Sequence, residues 1–498
     1  MYSLTLTEVY QLLDQHHLLK KADESLLDTA IAFTYLSYDS RDIKADTLFF
    51  CKGKNFKAQH LDSVIDQGVE VYLSEKHYET VKTEILVTDI REAMAIIAQK
   101  FYHDPQEHLI KIGITGTKGK TTAAYFLFTI LSHSLNQSVA LFSSEETTVD
   151  GKTMTPSKLT TPEALVLYRQ MAQAVNNGLT HVVMEVSSQA YKTKRVFGLS
   201  FDIGIFLNIS PDHISPIEHP TFEDYFFCKR QLIQNSKQMI LNHDSNYYEI
   251  LADDCQKVKV PFYSYGHQLG TYQIKDATEP HSFALYNPAD PFLINGDYRL
   301  ALLGAFNHEN AAAVILAAHL LGISRSDIQD SLPKSQIPGR MNLLKKPNGA
   351  YIFIDYAHNY LSIKAIGDFA KQLRPKGRVI IMTGSAGGKA LSRRPDIGKA
   401  LSECADVVFL TSDDPAFEDP GAITAEIHQA ITNPAVTVYE ELDRKKAVVQ
   451  AFSMAKKEDT VILAGKGTEQ MMKVHDTEVP YEGDFQIVKR LIDKPTEH

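Results

Sequence analysis

Short apolar runs recur along this chain, and each breaks off into glycine or polar residues: LIKI before GITGTKGKTT, then HVVMEVSS, FDIGIFLN, YIFIDYAHN, RVIIMTGSAGG, DVVFLTSDD and TVILAGKGT. Runs with so little polar alternation fit strands covered on both faces. Helical patterns separate them, among them REAMAIIAQKFY and a long apolar one ending at Gly322. Strand–helix alternation predicts an α/β chain built on doubly wound parallel sheets. In such sheets ligands bind beyond the carboxyl ends of the strands. That is where the polar and glycine-rich loops fall.

A chain of 498 residues is too long for one core, so two to four domains are expected. HDPQEH near 103–108 and SLPKSQIPGRMN at 331–342 read as junctions. They divide the chain into 1–107, 108–333 and 334–498. The net charge of −10 is dispersed, which argues against nucleic-acid binding. Four cysteines without close spacing read as reduced thiols. The polar N-terminal stretch lacks a signal-peptide pattern, and no apolar run approaches a membrane span. A cytoplasmic protein without a membrane partner is expected.

GITGTKGKTT, residues 113–122, joins a strand pattern to a helix pattern. Free N–H groups and a partial positive charge at a helix start attract anions, and glycines let the backbone wrap them. Gly116, Thr117, Lys118, Gly119, Lys120, Thr121 and Thr122 form such a cradle. Lys120 is placed to reach outer phosphates, and the Thr121 hydroxyl to ligate Mg²⁺. Ile114 stands where the strict phosphate-loop pattern has its first glycine, and the loop alone does not separate a kinase, a GTPase and a ligase. Glu185, at the end of HVVME, occupies the usual place of a Mg²⁺ ligand. His213 follows another buried-strand pattern. Lys229 falls inside the stripe of Phe222, Tyr225, Phe226, Leu232 and Ile233. Burial would leave it a neutral amine able to take up CO₂ as a carbamate. The pattern alone favours a lysine snorkelling from the stripe edge.

At this point the sequence resembles the Mur ligase family over nearly its whole length. TGTKGKT, EVSSQAYKTKRVFGLSFDIGIFLNISPDH, YFFCKRQLI, GAFNHEN, IPGRMN and DYAH match its blocks. The match is nearest to the branch that adds the third residue of the peptidoglycan stem peptide. The resemblance implies three domains: an N-terminal α/β UDP-binding domain, a central ATPase domain with a parallel sheet and phosphate loop, and a Rossmann-like C-terminal ligase domain. It implies ATP and Mg²⁺ as cofactors and UDP-MurNAc-L-Ala-D-Glu as acceptor, in a monomer. Lys120 and Thr121 would hold phosphate and Mg²⁺. Glu185, His213 and a carbamylated Lys229 would hold metal, and Asn310, Arg340 and Asp355 would contact ATP. YDSR makes Ser40 a uridine contact. Thr160, Thr161, Ser187 and Arg195 would bind the muramoyl-dipeptide. The acceptor carboxylate would be phosphorylated by ATP, and an amine would then displace phosphate. Lys120, Lys229, His213 and Arg340 would serve that chemistry.

The last domain carries TSDDPAFEDP. Relatives that add meso-diaminopimelate carry DNPR there, and the Arg pairs with a distal carboxylate. Here Asp413, Asp414, Pro415 and Ala416 stand instead, with Glu418 nearby. An acidic loop without the Arg suits the terminal ammonium of L-lysine. L-ornithine stays open, since one methylene gives only about 1–3 kcal/mol of discrimination. Glu469, in AGKGTEQ, would meet an amine of the amino acid. Lys389 stands where the family has an Arg for the α-carboxylate, with Arg393 and Arg394 as substitutes. Folylpolyglutamate synthetase would share the loop and last domain, but should lack the YDSR and TTPE segments. A nucleotide-binding regulator would leave the substrate blocks without a purpose.

Overall fold

The computed structural model describes residues 2–20, 30–53, 56–212, 214–215, 218–277, 279, 281–302, 304–339, 341–388, 391 and 393–493. His213, Arg340 and Lys389 lie outside the described residues.

The N-terminal part pairs β1 (Leu4–Thr5) with β2 (Ala32–Phe33), around α1 (Leu6–Gln15). Thr5 caps α1, and Glu8 closes a capping box. A parallel sheet follows in the order β3 (Tyr35–Ser37), β4 (Thr47–Phe50), β5 (Val71–Ser74), β6 (Thr83–Leu86), with α2 (Ala58–Asp66) and α3 (Ile90–Phe101). Asp89 caps α3 by accepting from the Arg91 and Glu92 amides. The segment read as a linker is a packed joint instead. Pro105 and Gln106 are buried in a 3₁₀ turn, and Lys111 Nζ donates to the Gln106 carbonyl at 2.7 Å.

The middle of the chain supplies β7 (Ile110–Thr115), α4 (Lys120–Ser134), β8 (Val139–Phe142), β9 (Glu146–Thr148), β10 (Thr155–Pro156), α5 (Ala164–Asn176), β11 (His181–Glu185), α6 (Ser188–Lys192), β12 (Ile203–Phe206), α7 (Phe222–Gln234), β13 (Met239–Asn242), α8 (Tyr248–Lys257) and β14 (Phe262–Gly266). Then come β15 (Tyr272–Asp276), β16 (Ser282–Tyr286), β17 (Gly296–Arg299), α9 (Ala305–Leu320) and α10 (Arg325–Ser331). Among the described residues these strands form one sheet in the order 10-9-8-11-7-12-13-14-15-16-17. Pairing is parallel from β8 to β15 and antiparallel at both edges. Helices α4 and α9 pack on one face, with ten of the fifteen residues of α4 buried. That explains why α4 reads as apolar all round rather than striped.

Among the described residues the C-terminal part forms a six-stranded sheet in the order β18 (Asn342–Lys345), β19 (Tyr351–Asp355), β23 (Thr460–Ala464), β20 (Val379–Thr383), β21 (Val407–Leu410), β22 (Thr437–Glu440). Only the β18–β19 pair is antiparallel. Helices α11 (Tyr360–Leu373), α12 (Arg393–Cys404), α13 (Pro420–Gln429), α14 (Arg444–Met454) and α15 (Asp484–Asp493) accompany it, with a hairpin of β24 (Met471–Val474) and β25 (Thr477–Pro480). The doubly wound α/β expectation is met. All four cysteines are free and buried. No helix among the described residues is long and apolar enough to cross a membrane.

Candidate active site

β7 lies between β11 and β12, so its carboxyl end opens between two parallel neighbours. The register sets Ile114 beside Glu185 and Thr115 beside Phe206. The chain then turns through Gly116–Gly119 into α4. Gly119 has φ +83°, and a Cβ there would stand 2.2 Å from Asn310 Oδ1. Only glycine meets both demands. Neighbouring loops hold the turn. The Lys118 amide donates to Asn208 Oδ1 at 2.9 Å, and the Ser210 amide donates to Thr117 Oγ1 at 3.0 Å. Thr117 Oγ1 also lies 3.1 Å from the Tyr225 hydroxyl on α7. Lys120 Nζ folds back onto the Gly116 and Thr117 carbonyls at 3.0 and 3.3 Å. Thr121 and Thr122 are buried at the helix start.

Lys229 is 2 % exposed, so it does not snorkel. Its Nζ donates to the Gly116 carbonyl at 2.8 Å and sits 5.0 Å over the Tyr225 ring. Burial, together with the neighbouring Lys120 and Lys118, holds it well below the usual lysine range, against the pull of Asp212 and Glu185. Glu185 is fully buried rather than an ordinary exposed residue. Its carboxylate accepts from the Ser144 amide at 2.8 Å and the Ser144 hydroxyl at 3.1 Å. A buried carboxylate and a buried amine thus flank the loop; the Glu185 oxygens suit a hard cation, and Lys229 would supply oxygen donors only as a carbamate. His219, Asp224 and Cys228 also cluster, but His219 Nδ1 lies 2.6 Å from Asp224 and Nε2 lies 2.9 Å from Ser188. These contacts tie α7 to the turn after β11.

The TTPE segment sits on that same turn. The Ser144 hydroxyl lies 2.9 Å from the Thr160 hydroxyl, and the Thr161 hydroxyl donates to the Glu185 carbonyl at 2.8 Å. The Ser187 amide donates to Thr161 Oγ1 at 3.1 Å, and Arg195 donates to the Thr161 carbonyl at 3.0 Å. Glu163, passed over in the sequence, gathers Lys52 at 2.6 Å, Arg195 at 3.1 Å and Arg91 at 3.7 Å. A cavity of about 360 Å³ opens beside it, lined by Tyr38, Asp39, Lys158 and Arg169. Tyr38 and Asp39 line it, whereas Ser40 lies just outside, its carbonyl accepting from Gln67.

A larger cavity, about 550 Å³, lies between the phosphate loop and the C-terminal part. Gly119, Thr122, Asn208, Asn310 and Asp355 line it. Asp355 ends β19 and accepts from the Met341 and Ala357 amides, each at 2.8 Å. Beside it Asp212, missed in the sequence, takes Arg393 at 2.7 Å and Lys118 at 3.3 Å. Arg393 therefore points at the central sheet. Arg394 is no substitute for Lys389: it is buried and bound to Glu418 at 2.8 Å and Glu426 at 3.1 Å.

At the same carboxyl edge of the C-terminal sheet, Asp413, Asp414 and Ala416 follow β21, and Lys466 and Glu469 follow β23. The acidic loop is not a bare anionic surface as its sequence suggests. Glu418 is spent on Arg394, and Lys466, 1 % exposed, lies 2.6 Å from Glu469, 2.8 Å from Asp414 and 3.8 Å from Asp413. Burial alone would lower the Lys466 pKa, but Asp413 and Glu469 raise it. Burial raises the Asp413 carboxyl. Four carboxylates, counting Asp484, face two cations, Lys466 and Arg444, so acidic groups outnumber basic ones in the cluster. Pro415 is held close, since a Cβ on Gly387 would lie 1.9 Å from its carbonyl. Ala416 (φ +49°) exchanges backbone bonds with Lys473 and His475 of the hairpin.

A family model described as the Mur ligase middle domain matches residues 114–318, and one described as Mur ligase, glutamate ligase domain, matches 339–467. The UDP-N-acetylmuramoyl-L-alanyl-D-glutamate--L-lysine ligase of Enterococcus faecalis is 50 % identical over 467 residues, which cover 93 % of this chain and 92 % of that protein. This chain belongs to the Mur ligase family. A like-named ligase of Streptococcus agalactiae is 44 % identical, with 93 % of each chain covered. The structure of a UDP-N-acetylmuramoyl-L-alanyl-D-glutamate--2,6-diaminopimelate ligase superposes with a TM-score of 0.66 at 24 % identity, covering 99 % of both chains. That likeness shows the three-part Mur ligase fold.

Proposed function

We propose that this Mur ligase joins L-lysine to the D-glutamyl side-chain carboxylate of UDP-MurNAc-L-Ala-D-Glu at the expense of ATP, in the cytoplasm, as a monomer. One observation carries the choice of amino acid: Ala416 stands where a carboxylate-pairing Arg would, in a loop whose cluster holds more acidic than basic groups. The names of the 50 % and 44 % identical relatives agree with it.

A carboxylate is a poor electrophile. Its oxygen attacks the γ-phosphorus, the bond to the β-phosphate oxygen breaks, and ADP leaves. The lysine amine then attacks the acyl carbon. The carbon–oxygen bond to phosphate breaks, and the nitrogen sheds a proton. Lys120 and the loop amides face the growing phosphate charge, and positioning supplies much of the remainder. Asn310, Arg340 and Asp355 would hold the nucleotide in the larger cavity. Thr160, Thr161, Ser187 and Arg195 would hold the dipeptide, and the smaller cavity with Ser40 at its rim would take the uridine. Lys389 would meet the α-carboxylate, and Asp413, Asp414, Pro415, Ala416 and Glu469 the side chain of lysine. Thr121, Glu185, His213 and a carbamylated Lys229 would hold Mg²⁺, which neutralises phosphate charge when bound. The carbamate forms when the neutral Lys229 amine adds to CO₂ and releases a proton. Junctions near 107/108 and 333/334 would separate the three domains.

Hydroxylamine in place of lysine tests the activated carboxylate. A hydroxamate on the UDP-dipeptide is expected with ATP and Mg²⁺, and none without ATP. ATP consumption without hydroxamate would overturn the mechanism.

A further inference from the structure

Arg444 starts α14 and is fully buried, and so is its partner Asp484 on α15. The guanidinium grips that carboxylate along one edge, Nε to Oδ1 at 3.0 Å and one terminal nitrogen to Oδ2 at 2.6 Å. Its remaining hydrogens do not stay within the pair. One goes to the Ser412 carbonyl at 3.2 Å and another to the Ala464 carbonyl at 2.9 Å. Ser412 directly precedes Asp413, and Ala464 directly precedes Gly465 and Lys466. One side chain therefore pins the two strand ends from which the acidic cluster grows. The spacing between them is tight: a Cβ on Gly465 would stand 2.6 Å from Asp413 Oδ2 and 3.8 Å from both terminal nitrogens of Arg444. Asp484 also accepts from the Tyr481 hydroxyl at 2.6 Å. Tyr481 follows the hairpin whose Lys473 amide donates to Asp414 at 2.9 Å.

We propose that Arg444 is a positioning residue for the incoming amino acid, setting the separation of Asp413 and Asp414 from Lys466 and Glu469 through its fork onto Ser412, Ala464 and Asp484. The inference rests on the reading that these loops receive the amino acid. A planar guanidinium can serve a carboxylate and two carbonyls at once; an ammonium on a flexible stem cannot hold the same fixed angles. Arg444 touches no phosphate-loop residue, so its effect belongs to the second half-reaction alone.

The test compares Arg444→Lys and Asp484→Asn with wild type in two assays: lysine-dependent product formation, and lysine-free hydroxamate formation. Expected is a loss of about 10- to 100-fold in kcat/KM for lysine, of the size a misplacement of about 1 Å produces. The KM for ATP and the hydroxamate rate should stay within about twofold. Unchanged lysine kinetics in both variants, or parallel loss of both activities in a soluble variant, would overturn the proposal. If Arg444→Lys fails to fold, Asp484→Asn decides, because it keeps the guanidinium but removes the charged half of the fork that fixes its angle towards both carbonyls. Failure of the functional reading itself would look different: wild type would then form no lysine adduct.

Discussion

The Lys229 side-chain nitrogen lies 2.8 Å from the carbonyl oxygen of Gly116, in the turn that opens the phosphate loop. The helix that carries it therefore reports directly to the loop. Replacing Lys229 with Ala should lower kcat by about 10²–10³, the cost of removing one charge-stabilising group. Added formate or acetate should restore part of the rate by standing in for a carbamate. Loss without rescue, in a variant that melts normally, would contradict the carbamate assignment.

Gly119 and Asn310 meet where no side chain fits between them. Gly119→Ala adds a left-handed backbone strain of about 1–2 kcal/mol to a direct clash. ADP affinity measured by calorimetry should fall at least tenfold. The double variant with Asn310→Ala removes the clash but not the strain, and should bind no better than partway back. Unchanged ADP affinity in Gly119→Ala would contradict the cradle.

His358 gives a pH signature. Its Nδ1 donates to the Tyr356 carbonyl at 2.6 Å. Burial in the cleft, with Lys118 and Arg393 nearby, pushes its pKa down to about 3 from 6.5. Between those values the unfolded chain binds a proton that the folded chain refuses. Stability therefore falls as pH drops from about 6.5 towards 3, and this contribution is constant above and below that window. His358→Asn can keep the donor to Tyr356 and should flatten that part of the profile in urea melts. An identical acid slope in the variant would contradict the assignment.

Ala416 already has a positive φ, so Arg at the same place adds little backbone cost. Ala416→Arg should raise turnover of meso-diaminopimelate relative to L-lysine by at least about tenfold, the worth of one charged pairing. No change in the ratio would show that this loop does not read the distal group.

The phosphate loop and Glu185 are legible in the sequence because each falls at the end of an apolar strand run, where parallel sheets place their sites, whereas the TTPE segment is marked only by the family resemblance. Lys229 was visible as a misfit in an apolar stripe, but spacing does not distinguish a buried lysine from one that snorkels. What escaped was pairing across distance. The acidic loop after β21 is met by Lys466, which follows another strand, and by Arg394, which stands on a helix. Glu163 collects cations from the loop after β4, from α3 and from the turn after α6. Only the fold brings such partners together. The meander of β15 to β17 was likewise missed, because its short strands lack the apolar runs that marked the parallel ones.

The most direct test offers L-lysine, L-ornithine and meso-diaminopimelate together, at equal concentration, to the enzyme with ATP, Mg²⁺ and UDP-MurNAc-L-Ala-D-Glu, and weighs the product by mass spectrometry. The lysine adduct should dominate and the diaminopimelate adduct should be scarcely detectable. Equal lysine and diaminopimelate adducts, or ATP hydrolysis with no adduct at all, would contradict the account.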